Sequence, residues 1–324
     1  MTQPANTFDA YDAGTTNAED VQNLIYNVSP EATPVLSAGR RFTAQQKFHE
    51  WLRDSLATPS VSNAVIEGDD RTGTAITAPG RVGNYTQLMD KVAVVSTTQQ
   101  ASKPIGRSNE MKYQVAKMFK ELKRDLEARL VSNSPAVAGN STTARETGGL
   151  GVLIYTTALH NGAGATTAHT SGAPTTAVTA GTNRAWAEAL LKTAMQSIYT
   201  QSGEMPSFIS MTPSHKAGFS AFTGIATNRY NIKGKEQATI IGGADIYVSD
   251  FGNLTVVPNY VQATSAANDV FILNPDTYGV AYLQPFKSVP LAKTGHTEKE
   301  LVSAEVAVVV TAEKSNGKVS NLTA

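Results

Sequence analysis

The 324-residue sequence contains no cysteine, which excludes disulfides, thiol nucleophiles and thiolate metal sites together. An excess of charge of one sign is also missing, because Lys+Arg and Asp+Glu both number 27. That balance argues against an electrostatically driven nucleic-acid binder, whose domain is normally clearly basic. Long apolar runs are absent too. The longest, residues 306–310, falls far short of the ~20 residues that a membrane span needs, and no basic-then-apolar secretion signal opens the sequence. These absences describe a soluble chain made and used in a cytoplasm.

Recognisable catalytic patterns are missing as well. His49, His160, His169, His215 and His296 show neither HExxH nor paired ligand spacing, so structural or solvated roles are expected for them. The run Thr147-Gly148-Gly149-Leu150-Gly151 lacks the GxxxxGK[ST] phosphate loop and reads as a flexible turn. No GxSxG elbow occurs. Asp69-Asp70 sits in loop-like sequence and reads as turn or interface rim rather than as a metal site. No catalytic, cofactor-binding or metal-binding residue is therefore assigned, and an enzyme is disfavoured.

What is present begins with one long amphipathic helix. Met111, Val115, Met118, Leu122, Leu126 and Leu130 recur at spacings of three and four, which stacks them on one face over 106–131. Charged residues, Glu127 among them, fill the other faces. Ser108 is a candidate N-cap, Glu110 suits the first turn, and Pro135 supplies a stop. At 1.5 Å per residue the helix would be about 39 Å long, a beam across something.

The residues before it read as arm and loop rather than core. Residues 1–39 are rich in Ala, Thr, Asn, Asp and Pro, with one short helical patch at 18–26 and an extended path enforced by Pro30 and Pro34. Residues 47–56 interleave Phe48, Trp51, Leu52 and Leu56 with polar groups, a period that leaves strand and helix both open. Residues 65–101 alternate apolar and polar groups, which predicts two long strands of a β-ribbon with a loose tip at 79–84. An isolated ribbon is marginal in water, so it should lie on something else.

After the helix, two Gly/Thr/Ser/Ala-rich stretches, 139–151 and 161–181, read as exposed loops with little packing of their own. A second amphipathic helix is expected over 184–201. Strands are expected at 205–211, 238–249, 254–258 and 270–273, with a short helix at 213–222. Long strands return at 277–283 and 300–311 around a turn at Gly295, so long-range pairing is expected.

This order of elements resembles a tailed-phage major capsid protein of the Hong Kong 97 type. More specific likenesses are Thr7-Phe8-Asp9-Ala10-Tyr11, the segment His49 through Leu56, Glu67-Gly68-Asp69 and Leu291-Ala292-Lys293-Thr294-Gly295. The resemblance covers nearly the whole chain and decides residues 47–56 for strand. It implies an α+β Hong Kong 97-like fold: an N-terminal arm at 1–45, a peripheral-domain strand at 46–64 and an extended loop at 65–103. The peripheral domain with its spine helix would be 104–147, the axial domain 148–273, and 274–324 would return strands to the peripheral sheet.

The implied function is a structural shell protein that self-assembles through hexamers and pentamers into an icosahedral head around double-stranded DNA. Assembly would occur in the host bacterial cytoplasm. No cofactor or membrane is implied, and DNA would be contacted non-specifically at most. Portal and decoration proteins are implied partners; because no scaffold-like leader precedes the arm, a separate scaffolding protein is expected. Inter-subunit contact candidates are Arg40, Arg41, Trp51, Tyr85, Leu88 and Met89. For the Arg40-Arg41 pair, a neighbour's carboxylates and packaged nucleic acid both stand as partners. Some relatives cross-link through a lysine on the extended loop, where Lys91 lies, but its partner is not identifiable. An encapsulin-type compartment shares the fold and is the alternative.

Overall fold

The periodic pattern over 106–131 folds as one helix, Glu110–Leu130. The structure, a computed structural model, describes residues 29–70, 73, 75–76, 78–222 and 245–323. The motif Thr7 to Tyr11, the helical patch at 18–26 and the first part of the strand expected at 238–249 lie outside the described residues. Ahead of the long helix come α1 (Pro34–Ala38), β1 (Arg40–Thr43), β2 (Phe48–Arg53), β3 (Gly80–Tyr85), β4 (Gln87–Ser96) and α2 (Thr97–Ala101), which makes the long helix α3. Its N-cap is Asn109, not Ser108. Asn109 has the extended backbone a cap requires, and its side chain accepts from Lys112 N at 2.9 Å.

After α3 follow α4 (Leu150–Leu153), β5 (Ala158–Leu159), β6 (Arg184–Ala185), α5 (Glu188–Ser202), β7 (Phe208–Met211) and α6 (Pro213–Ser220). Then come β8 (Ile246–Ser249), β9 (Gly252–Pro258), α7 (Gln262–Ser265), β10 (Val270–Leu273), β11 (Tyr278–Leu291) and β12 (Thr297–Val310). A 3-10 turn at Glu313–Ser315 leads to β13 (Gly317–Val319) and β14 (Leu322–Thr323). The second amphipathic helix thus starts four residues late, because Arg184 and Ala185 pair with Leu322 and Thr323 instead. α5 ends at Gly203, whose φ of 70° gives the left-handed cap that glycine adopts without strain.

Two sheets carry the cores. The first has the order β1-β11-β12-β4, and α3 lies along one face of it. Leu122, Leu126 and Leu130 pack there with Val302, Val306 and Val308, while Met111 meets Ala93 and Val95 toward the helix start. Burying each such side chain stabilises by about 1.5–3 kcal/mol relative to exposure. The second sheet has the order β5-β13-β10-β7-β9-β8, with α5 supplying Leu191, Met195 and Ile198 against Ile209, Val270 and Ile272. Alternation along β10 joins the lobes: Val270 and Ile272 belong to the α5 core, Phe271 and Leu273 to the α3 core.

The ribbon expected over 65–101 is not formed. β3 pairs with β2, whereas β4 pairs with β12, and only Thr86 separates them. Thr86 makes that switch tolerable: its N–H donates to Lys47 O at 2.9 Å and its hydroxyl to Glu305 Oε1 at 2.7 Å. The expected loose tip at 79–84 is therefore mostly strand, and the long hairpin of this fold is β11–β12, turned at Gly295. The β2–β3 pair covers the base of the sheet on the side away from α3, where Trp51 and Phe42 meet Ala307 and Val309. That double cover is why β12 is buried on both faces from Val302 to Val310, and why residues 306–310 read as a continuous apolar run.

Two further expectations are corrected. The C-terminal residues do not all return to the first sheet, because β13 pairs with β10 and β5 in the second. Nor is Thr147 to Gly151 a flexible turn. Thr147 and Leu150 are fully buried, and a Cβ at Gly149 or Gly151 would overlap Ser132 or Asn133 just after α3. The glycines permit close packing rather than motion.

Candidate assembly surface

β2 and β3 form an antiparallel pair in which Arg53 stands opposite Gly80, so residues 54–79 are one long excursion whose two ends meet. Among the described residues of that excursion no strand or helix forms. Leu56, Val61 and Ile76 are 99%, 105% and 98% exposed, and Val65 and Ile66 are also exposed. A lone exposed leucine is unremarkable, but five large apolar side chains on one segment without a core need a partner surface.

A second apolar surface lies on the first sheet. On β4, Met89, Lys91, Ala93 and Val95 turn toward α3, while Leu88, Val92 and Val94 turn outward. Across the ladder Val92 faces Leu301, which faces Val289, and Val94 faces Lys299, which faces Leu291. The outer half of the hairpin thus presents Val289, Leu291, Val92 and Val94 to solvent, beyond the part that β2 and β3 cover. β4 is also an edge strand, and an edge offers unpaired backbone groups to another chain.

The segment ahead of β1 is fixed from within. Glu127 on α3 is fully buried. Its Oε1 accepts from Val35 N at 3.0 Å and Asn259 Nδ2 at 2.7 Å, and its Oε2 from Leu36 N at 2.8 Å. Burial pushes the Glu127 carboxyl up from its ordinary value against those three donors. Tyr278 adds a hydroxyl bond to Val35 O at 3.1 Å. Sequence periodicity had placed Glu127 on a charged face; its burial was not legible because its partners lie 91 and more residues away.

The sequence-derived contact candidates separate into three groups. Arg40 and Arg41 are exposed on β1, and Arg40 reaches Asp276 O at 3.5 Å. Leu88 is 60% exposed on the outer face. Tyr85 is half-buried and stacks on Phe48 at 4.7 Å. Trp51 is half-buried between two core clusters, so much of its surface is spent inside the subunit. Met89 is a correction: at 8% exposure it belongs to the α3 core, because the one-residue alternation that turns Leu88 outward turns Met89 inward. Lys91 is engaged as well, 2.9 Å from Asp125 and 3.2 Å from Glu121. Its partial burial is outweighed by those two carboxylates, which raise its pKa.

Among the described residues, no group of three His, Asp or Glu could hold a metal ion, and no helix is long and apolar enough to cross a membrane.

Residues 3–323 match the family described as SU10 major capsid protein. The chain belongs to that family. Over 321 residues it is 27% identical to the major capsid protein of Escherichia phage Phieco32, with 88% of each chain covered. Its fold is similar to the capsid of Cyanophage A-1(L), with a TM-score of 0.67 at 12% identity over 98% of this chain and 100% of that one. The capsid of an empty GTA particle gives 0.62 at 14% identity, covering 99% and 100%. The SrpI encapsulin of Synechococcus elongatus gives 0.56 at 13% identity, covering 98% and 96%. The fold is thus the Hong Kong 97 type. At such identities a structural likeness speaks for the fold alone, so family membership decides the role: a structural shell protein of a phage head, with the encapsulin alternative less supported.

Proposed function

We propose that this capsid protein assembles by laying residues 54–79 of each copy across the outer sheet face of a neighbouring copy. The observation that carries this reading is the row of exposed apolar side chains on a segment whose described residues are all exposed. The outward stripe of Leu88, Val92, Val94, Val289 and Leu291 is its chemical complement. Arg40 and Arg41 sit at the opposite edge of that sheet, available to a neighbour's carboxylates, with Trp51 near the root of the excursion and Tyr85 at the far end of the β2–β3 pair. Contacts removing ~1,500 Å² in total, at ~25 cal/mol per Å² of apolar surface, offer tens of kcal/mol before entropy and polar costs.

In this reading the arm is 1–45 and the extended loop is 54–79, shorter than the 65–103 expected from sequence. The lobe of α3 and the first sheet is the peripheral domain, and the lobe of α5 and the second sheet is the axial domain. Hexamers and pentamers of the chain close an icosahedral head around double-stranded DNA in the host bacterial cytoplasm, with scaffolding, portal and decoration proteins as partners. The role requires no catalysis.

The test follows from Arg53 facing Gly80. Replacing residues 56–76 with a short Gly/Ser turn leaves the β2–β3 register intact. The variant is expected to melt like the parent but to yield only free subunits or capsomers by sedimentation velocity and negative-stain imaging. Closed shells from this variant would overturn the proposal.

A further inference from the structure

Lys318 on β13 is fully buried, yet it makes no ion pair among the described residues. A buried ammonium without a directly paired counter-ion is costly, so an arrangement that removes its charge is favoured. Its Nζ donates to Gly151 O at 2.7 Å, to Thr166 Oγ1 at 3.1 Å and to Asn133 Oδ1 at 3.3 Å. The carboxamide of Asn133 is held on its other side by Asp269, whose Oδ2 accepts from Asn133 Nδ2. Asp269 is itself 4% exposed. Gly151 makes the approach possible, since a Cβ there would overlap the Asn133 side chain.

An amine, a carboxamide and a carboxylate therefore stand in a line inside the protein. From a Nζ–Oδ1 distance of 3.3 Å, and a C=O bond of ~1.2 Å, Nζ is at most about 4.5 Å from the carboxamide carbon. A near-attack separation is ~3–3.5 Å, within reach of a rotation of the lysine stem.

We propose that Lys318 and Asn133 are the two halves of an autocatalytic intramolecular amide bond, with Asp269 as its proton-transfer group. The Nζ–Cγ bond forms as Nζ attacks the Asn133 carboxamide, and the Cγ–Nδ2 bond breaks. Asp269 takes the proton that the amine sheds and delivers it to Nδ2, which leaves as ammonia. No oxidant, nucleotide or other co-reactant enters the balance. Burial pulls the Lys318 pKa down to about 8, so free amine is present near neutral pH. Ammonia has an exit, because Asn133 and Asp269 line a cavity of about 220 Å³ together with His160.

The bond would fasten the end of α3 to β13, 185 residues away in sequence. It would lock the peripheral and axial lobes of one subunit together. It is distinct from any link between subunits, since both groups are interior. A shell under internal load would gain from it, because a covalent tie between lobes resists shear that packing alone permits.

The experiment is intact-mass and peptide-mapping mass spectrometry on the purified full-length chain, taken both as free subunits and from assembled particles. The proposal expects a mass about 17 Da below that of the sequence, the loss of one ammonia. After trypsin it expects residues 130–145 joined to residues 315–324, with no cleavage after Lys318. The joined peptide separates this event from succinimide formation at another asparagine, which loses the same mass without joining two peptides. Lys318→Arg and Asp269→Asn should both abolish it. Separate, unmodified peptides from both free and assembled wild-type protein would overturn the proposal, whether or not either variant folds. A joined peptide that persists in Asp269→Asn would remove Asp269 from the mechanism.

Discussion

Glu127 on α3 and Asn259 just beyond β9 are hydrogen-bonded at 2.7 Å in the interior, joining the lobe of α3 to the second sheet. The same carboxylate holds two backbone N–H groups of α1, at Val35 and Leu36. Three segments of the chain therefore converge on one side chain.

Glu127→Ala should therefore be costly. It strips three donors of their acceptor in a buried site, where each unsatisfied group costs about 1–3 kcal/mol. The expected loss is about 3–5 kcal/mol in urea-induced unfolding, together with faster proteolysis at residues 29–39. Glu127→Gln should fall between, since it keeps one acceptor oxygen of two. An alanine variant as stable and protease-resistant as the parent would show that α1 is held elsewhere.

The long helix α3 gives a sharper result. Leu122 and Leu126 are 1% and 0% exposed in the α3 core. Leu126→Ala should cost about 2–5 kcal/mol through lost burial and a cavity. Replacing both leucines with Asp would put charge into that core and should prevent folding. Chemical denaturation of the first and solubility of the second are the measurements; a cooperatively melting double-Asp variant would contradict the packing described for α3.

These two cases show what the sequence made legible. The leucine stripe announces itself through a local period of three to four, so the long helix was readable, and alternation made most later strands readable; at Phe48–Arg53 the period left strand and helix open, and the capsid resemblance alone decided for the strand that forms. The α+β class and its capsid likeness followed from their order. Glu127 was not readable, because nothing within a turn of it differs from a solvated glutamate. The false ribbon has the same origin: β3 and β4 do alternate, but alternation specifies a half-buried strand without naming its partner, and the partners β2 and β12 are about 30 and 210 positions away. Lys318, Asn133 and Asp269 carry no local signal and meet only through the second sheet.

His169 predicts a pH dependence. It is buried against the Tyr155 ring, 4.9 Å away, and its pKa is lowered to about 4, first by burial and then by the nearby Arg53 cation. The folded state therefore keeps the ring neutral, whereas the unfolded chain takes up a proton below about 6.5. Between those values the unfolded state binds more protons, so stability falls as pH drops. The contribution is complete above pH 6.5 and lost progressively toward pH 4, up to about 3 kcal/mol. Glu127, shifted the other way, slopes oppositely as it ionises, so the comparison must be between variants. The difference in melting temperature between the parent and His169→Gln at pH 7.5, 5.5 and 4.5 isolates the term. The parent should lose more than the variant on acidification, and parallel losses would exclude His169 as the source.

The outer sheet face offers the cleanest separation of folding from assembly. Val92 and Leu301 face each other on the side away from α3, and Val92 is 41% exposed, so Val92→Lys buries no charge in the subunit. Exposed substitutions of this kind usually shift stability by less than about 0.5 kcal/mol. Its neighbours Leu88 and Val94 are exposed in the same stripe, so Val92→Lys with Val94→Lys plants two charges where a partner chain would have to desolvate them. The expected outcome is a protein with parental thermal unfolding that no longer forms particles in sedimentation velocity. Met89→Lys is the matched control on the same strand. It drives a charge into the α3 core and should unfold the protein rather than merely disperse it. If Val92/Val94→Lys assembles normally while Met89→Lys unfolds, the hairpin face is solvent-facing in the shell, and the partner surface for residues 54–79 must be sought on another face of the subunit.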